Sequence, residues 1–282
     1  MAKCDVYDFE VIKGRVNRSG KLTFDIETTG KTAKDQFIAV GYAWKRRDGT
    51  LVRGHCALSV VDPSEMTDIE RGDLSWLDVW HRKGFEIRCF TEFWNAKDKS
   101  LLHLLRELQR DGSLVTDEAA LAKRVNRAIL DAEEHWDGNV QIITDTTAYD
   151  TCWLHRLLVD HRFQPLDTTR AGRHRWSYDV DSFMLGALGV TPDIVNWSKL
   201  ASADKLLSRL PVDAVEPTHH PAIDAQSILA KFEAVEVFNA MVPTSTLAVV
   251  TASDEEYASR LEDHLCQVRD RIAFMRNLRA QQ

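Results

Sequence analysis

The chain has 282 residues, 44% hydrophobic and 28% charged, a balance that supports a sizeable apolar core and excludes a disordered or fibrous chain. Its formal net charge is −7, so any polyanionic ligand would have to be met by local basic patches or metal ions and not by the overall field. No apolar run approaches the ~18 residues of a membrane span, and the opening "MAKCDVYDFEVIKGRVNRSG" lacks the apolar stretch of a secretory signal.

Residues 1–20 read as a short lead-in. In "KLTFDIETTGK", Leu22, Phe24 and Ile26 alternate with Thr23, Asp25 and Glu27, the period-two pattern of a strand with two unlike faces, and Thr28-Thr29-Gly30 ends it. "DQFIAVGYAWKRRDGTLVRGHCALSV" reads as two strands joined at Arg47-Asp48-Gly49, so three consecutive antiparallel strands are expected. Residues 62–95, opened by "DPSE", read as irregular and are too long for a plain connection. "SLLHLLRELQRDG" and "TDEAALAKRVNRAILDAEEHW" have helical spacing, with Thr116 placed to cap the second. "NVQIITDTTAYD" returns to strand, "DTCWLHRLLVD" is helical, and "RWSYDVDSFMLGAL" gives a strand and then a helix. Pro221 is placed to start a helix to about Met241. A last helix, residues 254–279, carries an apolar stripe that fits packing on its own domain or, as the other reading, a homodimer seam. The order predicts an α/β fold, a mixed sheet of five to six strands flanked by helices. The domain expected is 1–241, with an insertion at about 62–95 and a helical extension at 242–282.

Asp25 and Glu27 lie on one strand face, about 7 Å apart at ~3.3 Å per residue. Like charges that close repel, so either the face is wet or a cation lies between them. Asp150 follows a strand and shares a helical face with Trp153, Leu154 and Leu157, where a carboxylate needs a partner. Asp224 lies in the first turn of a helix made amphipathic by Ala225, Ile228, Leu229 and Phe232. His219, five residues earlier, is loop-borne and suits a general base with a pKa near neutrality. Five cysteines without CxxC spacing read as free thiols in a reducing, cytoplasmic compartment, and argue against a zinc knuckle.

"FDIETTG", Asp150 after its strand, and the H-x4-D spacing of His219 to Asp224 together resemble the DEDDh class of DnaQ-like 3′-5′ exonucleases. The motifs fall in order over residues 25–224, and "RCFTEFWN" (Arg88 to Asn95) is weakly similar to a segment of phage exonuclease A-type members. The resemblance implies a ribonuclease H-like fold and two divalent ions, Mg²⁺ or Mn²⁺. It implies Asp25, Glu27 and Asp224 as direct ligands with Asp150 completing the site, and His219 as the base that takes a proton from the attacking water. Thr28 and Thr29 would sit beside the terminal nucleotide. The substrate implied is a single-stranded RNA or DNA 3′ end, released as nucleoside 5′-monophosphates. Two hard cations ~3.5–4 Å apart activate water, stabilise the leaving oxygen and relieve charge at phosphorus, and they favour oxygen ligands.

Other readings stand beside these. Asp145 competes with Asp150 and His220 with His219, while Thr147-Ala148-Tyr149 stand where many family members have an asparagine nearby. Each carboxylate taken alone also fits a solvated strand face or a helix N-terminus. "RAGRHRW" (Arg170 to Trp176) fits a phosphate grip with a stacking base, or a solvated loop. Asp179 and Asp181 fit strand-end solvation or support of the site. The rival from another class is a catalytically silent nucleic-acid-binding or scaffold protein on the same fold.

Overall fold

The computed structural model describes residues 19–31, 35–94, 100–183 and 219–241. The lead-in, the extension at 242–282 and the helix expected at 254–279, with its homodimer seam, lie outside the described residues.

Six strands form one mixed sheet in the order β4-β3-β2-β1-β5-β6. The first three, β1 (Gly20–Thr28), β2 (Phe37–Lys45) and β3 (Leu51–Leu58), are consecutive and antiparallel as expected. The β2–β3 turn closes through Gly49, whose φ of 85° suits glycine, with its N–H donating to the Arg46 carbonyl at 2.9 Å. Two short parallel edge strands complete the sheet: β6 (Ser177–Asp179) beside β5 (Val140–Thr144), in the strand expected within "RWSYDVDSFMLGAL", and β4 (Leu114–Val115) beside β3, which the sequence does not show. A run of two residues is too short to show a period.

The two faces of β1 are covered differently. Leu22, Phe24 and Ile26 enter the main core with Val125 and Ile129 of one helix (Glu118–His135) and Leu154 and Leu157 of another (Thr147–Asp160). The opposite face reads Lys21, Thr23, Asp25 and Glu27 and lies under the helix Pro221–Met241. Paired with Thr23, Asp25 and Glu27 across the ladder are Ala43, Gly41 and Ala39, all small. A Cβ at Gly41 would come within 2.0 Å of the Pro221 backbone, so glycine here lets the start of that helix rest on the sheet. Ala225, Ile228, Leu229 and Phe232 are buried, as the amphipathic spacing predicts.

Residues 62–94 are helical, which corrects the expectation of an irregular segment. The helices are α1 (Pro63–Arg71), α2 (Trp76–Lys83) and the short α3 (Ile87–Cys89), which runs into a π-helical turn, Phe90–Trp94. "DPSE" is a capping box: the Asp62 N–H donates to the Glu65 carboxylate at 2.9 Å, and Pro63 opens the helix. The helices bury few side chains in their own spans, Met66 in α1, Val79 and Trp80 in α2 and none in α3, so no long period accumulates. Together with α4 (Ser100–Arg110) they form a second core around Trp80, Trp94, Leu105 and Leu108. Arg106 ties α4 to α1 by a two-pronged contact with Glu70 at 2.7 and 2.8 Å. The next helix, α5 (Glu118–His135), is capped by Asp117 and not by Thr116: the Asp117 carboxylate accepts from the Ala120 N–H at 2.8 Å. The remaining helices are α6 (Thr147–Asp160) and α7 (Pro221–Met241). Helix α6 begins three residues before Asp150.

Candidate active site

On the polar face of β1, the interactions follow the strand. Lys21 pairs with Glu236 of α7 at 3.0 Å, and the Thr23 hydroxyl donates to the Ala225 carbonyl at 2.7 Å. Glu27 meets His219, with Oε1 3.3 Å from Nδ1. Between them Asp25 keeps a buried Oδ2 with no hydrogen-bond partner among the described residues. A β-bulge at Glu27/Thr28 ends the regular ladder at this point.

A cavity of about 210 Å³ opens over this face. Asp25 and Glu27 line it from β1, Asp145 from the end of β5, Asp150 and Tyr149 from α6, and Asp224 and Lys231 from α7. His219 lines it as well, whereas His220 faces away, with its ring 5.0 Å from that of His55 and Nε2 3.6 Å from Glu107. Asp145 and Asp150 both line the cavity and share a hydrogen bond.

So many carboxylates in one buried space shift each other. The Asp25 carboxyl is held well above its ordinary value by burial and then by Glu27, Asp145 and Asp224. Asp150 is pushed up to about 10 by burial, by the charge of Asp145 and by a hydrogen bond shared with it. Lys231, the cation at the same cavity, has its pKa lowered by burial, against the pull of Asp181, Asp145 and Asp224. Ligand atoms of Glu27, His219 and Asp224 lie within 4.8 Å of one another. The donor set is mainly carboxylate oxygen, it is under mutual repulsion, and one buried oxygen has no partner. These features fit hard divalent cations.

A larger cavity of about 550 Å³ adjoins the first and shares Ile26, Glu27, Phe93 and Tyr149 with it. Thr28 lines it; its hydroxyl donates to the Gly30 carbonyl at 2.8 Å and contacts the Tyr149 hydroxyl. Thr29 lines neither cavity: its side chain is buried, donating to Asp35 at 3.1 Å and accepting from the Gln36 N–H at 3.0 Å.

Several neighbours escaped the sequence reading. Lys231 is seven residues after Asp224, two turns along one helical face, and that spacing was available. Tyr149 and Phe93 were named only within longer segments, and nothing local marks them as cavity walls. The "RAGRHRW" segment divides: Arg175 is buried in an ion pair with Glu133, while Arg170, Arg173 and Trp176 are exposed. Burial in that pair removes Arg175 from any phosphate grip. Asp179 accepts from the Ser182 N–H at 2.6 Å and so caps the turn after β6.

No family model matches the chain, and no curated protein matches it. Among solved structures it is similar to exonuclease I with product bound, at 11% identity and a TM-score of 0.45, over 78% of this chain and 45% of that one. It is similar to E. coli exonuclease I in complex with a dA16 oligonucleotide at 12% identity and 0.45, over 78% and 42%. The zinc-bound E. coli exonuclease I–single-stranded DNA complex matches at 11% and 0.42, over 75% and 39%. The chain thus spans less than half the length of these exonuclease I chains, and the likeness is distant.

Proposed function

We propose that the protein is a metal-dependent 3′-5′ exonuclease of the DEDDh, DnaQ-like kind, built on a ribonuclease H-like sheet. It hydrolyses the terminal phosphodiester of single-stranded DNA or RNA and releases nucleoside 5′-monophosphates. The observation that carries this reading is the convergence of Asp25, Glu27, Asp150, Asp224 and His219 on one cavity of about 210 Å³.

Asp25, Glu27, Asp150 and Asp224 would hold two divalent ions, Mg²⁺ or Mn²⁺, because their repulsion and the unpartnered Asp25 oxygen are relieved by cations. When bound, such ions offset the charge that builds on the phosphoryl group and on the leaving oxygen. His219 takes the proton of the attacking water, an imidazole being suited to that transfer near neutral pH. Its ring contacts the Glu27 carboxylate at 3.3 Å and the Phe93 ring at 4.6 Å between centroids. Thr28 meets the terminal nucleotide from the wall of the larger cavity, and Thr29 supports it by anchoring the turn to Asp35 and Gln36.

The test is incubation of end-labelled DNA and RNA oligomers with Mg²⁺, Mn²⁺ or EDTA, with products resolved by length. The expected result is stepwise shortening from the 3′ end with mononucleotide products, lost in EDTA. Cuts in a closed circular single strand would overturn the exonuclease assignment. Tight binding without cleavage under either metal would favour the silent scaffold.

A further inference from the structure

His219 has φ 56°, in the left-handed region where a residue other than glycine carries a conformational cost, so its surroundings have to hold it there. Glu27 holds it from the sheet side at 3.3 Å. On another side stand two aromatic rings from the π-helical turn. Phe93 lies 4.6 Å away by ring centroids, edge to face at 80°, and Trp94 lies 6.3 Å away.

That turn is firmly attached to the end of β1. Trp94 is buried and its Nε1 donates to the Thr28 carbonyl at 3.3 Å, while the Cys89 thiol lies 3.7 Å from the same oxygen. Phe90 and Trp94 are buried in the second core, and half-buried Phe93 packs against that core while also lining both cavities. Single π turns within helices are frequent at functional sites because the wider turn redirects one side chain.

We propose that Phe93 is a positioning residue for His219. Its ring edge fixes the imidazole over Glu27. Because the same ring walls the larger cavity, a nucleotide filling that cavity also immobilises the ring and thereby steadies the imidazole. The proposal rests on the reading of His219 as general base, and it adds a coupling between substrate occupancy and the orientation of that base.

A double-mutant cycle tests it. Single-turnover rates on a single-stranded DNA oligomer at saturating Mn²⁺ are compared for the wild type, Phe93→Ala, His219→Ala and the double variant. Phe93→Ala is expected to lose about 10–100-fold in rate, yet less than about 2-fold in the His219→Ala background, since groups acting as a unit are not additive. Phe93→Leu keeps an apolar side chain but not the ring and should show the same loss, whereas Phe93→Tyr should restore the rate. An equal loss in both backgrounds would mean that the ring acts on substrate alone and would overturn the proposal, as would an unchanged Phe93→Leu rate. A second readout needs no activity: the imidazole NMR signals of His219, assigned with His219→Ala. They should shift and broaden in Phe93→Leu, and unchanged signals would overturn the positioning. A wild type that cleaves nothing would sink the exonuclease reading while the NMR comparison still decides the role of Phe93.

Discussion

Asp150 shows how burial writes itself into a single residue. Its carboxyl is held at about 10 against an ordinary 3.8, so the folded, metal-free chain keeps a proton that the unfolded chain releases. The group's stabilising contribution is therefore complete below the unfolded value and is lost as pH rises from about 4 towards about 10. In EDTA the protein should melt progressively lower between about pH 5 and about pH 9. Asp150→Asn, which can still donate to Asp145, should flatten that decline; an unaltered slope would mean that the two acids share no proton. Asp25 is raised in the same direction by burial and by Glu27. Asp25→Asn should accordingly abolish cleavage while raising the metal-free Tm, checked by calorimetry in EDTA. A lower Tm would show that repulsion at this face is already satisfied without a cation. The two neighbouring histidines separate by their surroundings, since His219 lines the cavity and His220 packs on His55 and Glu107. His219→Ala should lose on the order of 10²–10⁴-fold in rate, the range for a positioned acid or base. His220→Ala should lose far less, and the comparison is single-turnover rate at saturating Mn²⁺.

At the scale of elements, the site depends on how closely α7 lies on β2. Gly41 sits opposite Asp25, and any Cβ there would press on the Pro221 backbone. Gly41→Ala should cost ~1–3 kcal/mol, as overpacking of a close contact does. It should also weaken divalent-ion binding, because it lifts Asp224 and His219 away from Asp25 and Glu27; titration calorimetry with Mn²⁺ reads this directly. Full affinity in a destabilised Gly41→Ala would show that α7 can shift without disturbing the cavity. The helices of residues 62–94 matter at the same scale, for they deliver Phe93, Trp94 and Cys89 to the end of β1. "DPSE" caps the first of them, and their burial left no signal in the sequence, since each pairs its few apolar residues with distant partners.

At the scale of the whole molecule, the most deeply buried ion pair among the described residues does not line the cavity. Arg175 and Glu133 are both buried and contact one another, joining the loop before β6 to α5. Arg175→Met leaves Glu133 buried without its counter-charge and should destabilise by ~3–5 kcal/mol. Because Arg175 is not available to phosphate, the salt dependence of oligonucleotide binding should be unaltered at temperatures where the variant is folded. A reduced salt slope would return Arg175 to the phosphate-contacting set. The cavity is likewise a whole-molecule product, as its walls come from β1, β5, α6 and α7. Glu27 and His219 meet across 192 residues of sequence.

What the sequence determined by itself was whatever repeats locally. Alternation along 22–27 fixed a two-faced strand and placed Asp25 and Glu27 on one side of it. The Asp48-Gly49 turn fixed a hairpin, and Pro221 with the apolar spacing after it fixed a helix beginning beside His219. Tertiary structure alone decided the rest, because those features depend on approach between segments that carry no mutual signal. It turned Thr28 to a cavity and Thr29 to Asp35, and set Asp145 against Asp150. It also brought Lys231 among carboxylates and Phe93 against His219. A strand's period tells which residues share a face; only the packing of α7 and the π turn over that face tells what they meet there.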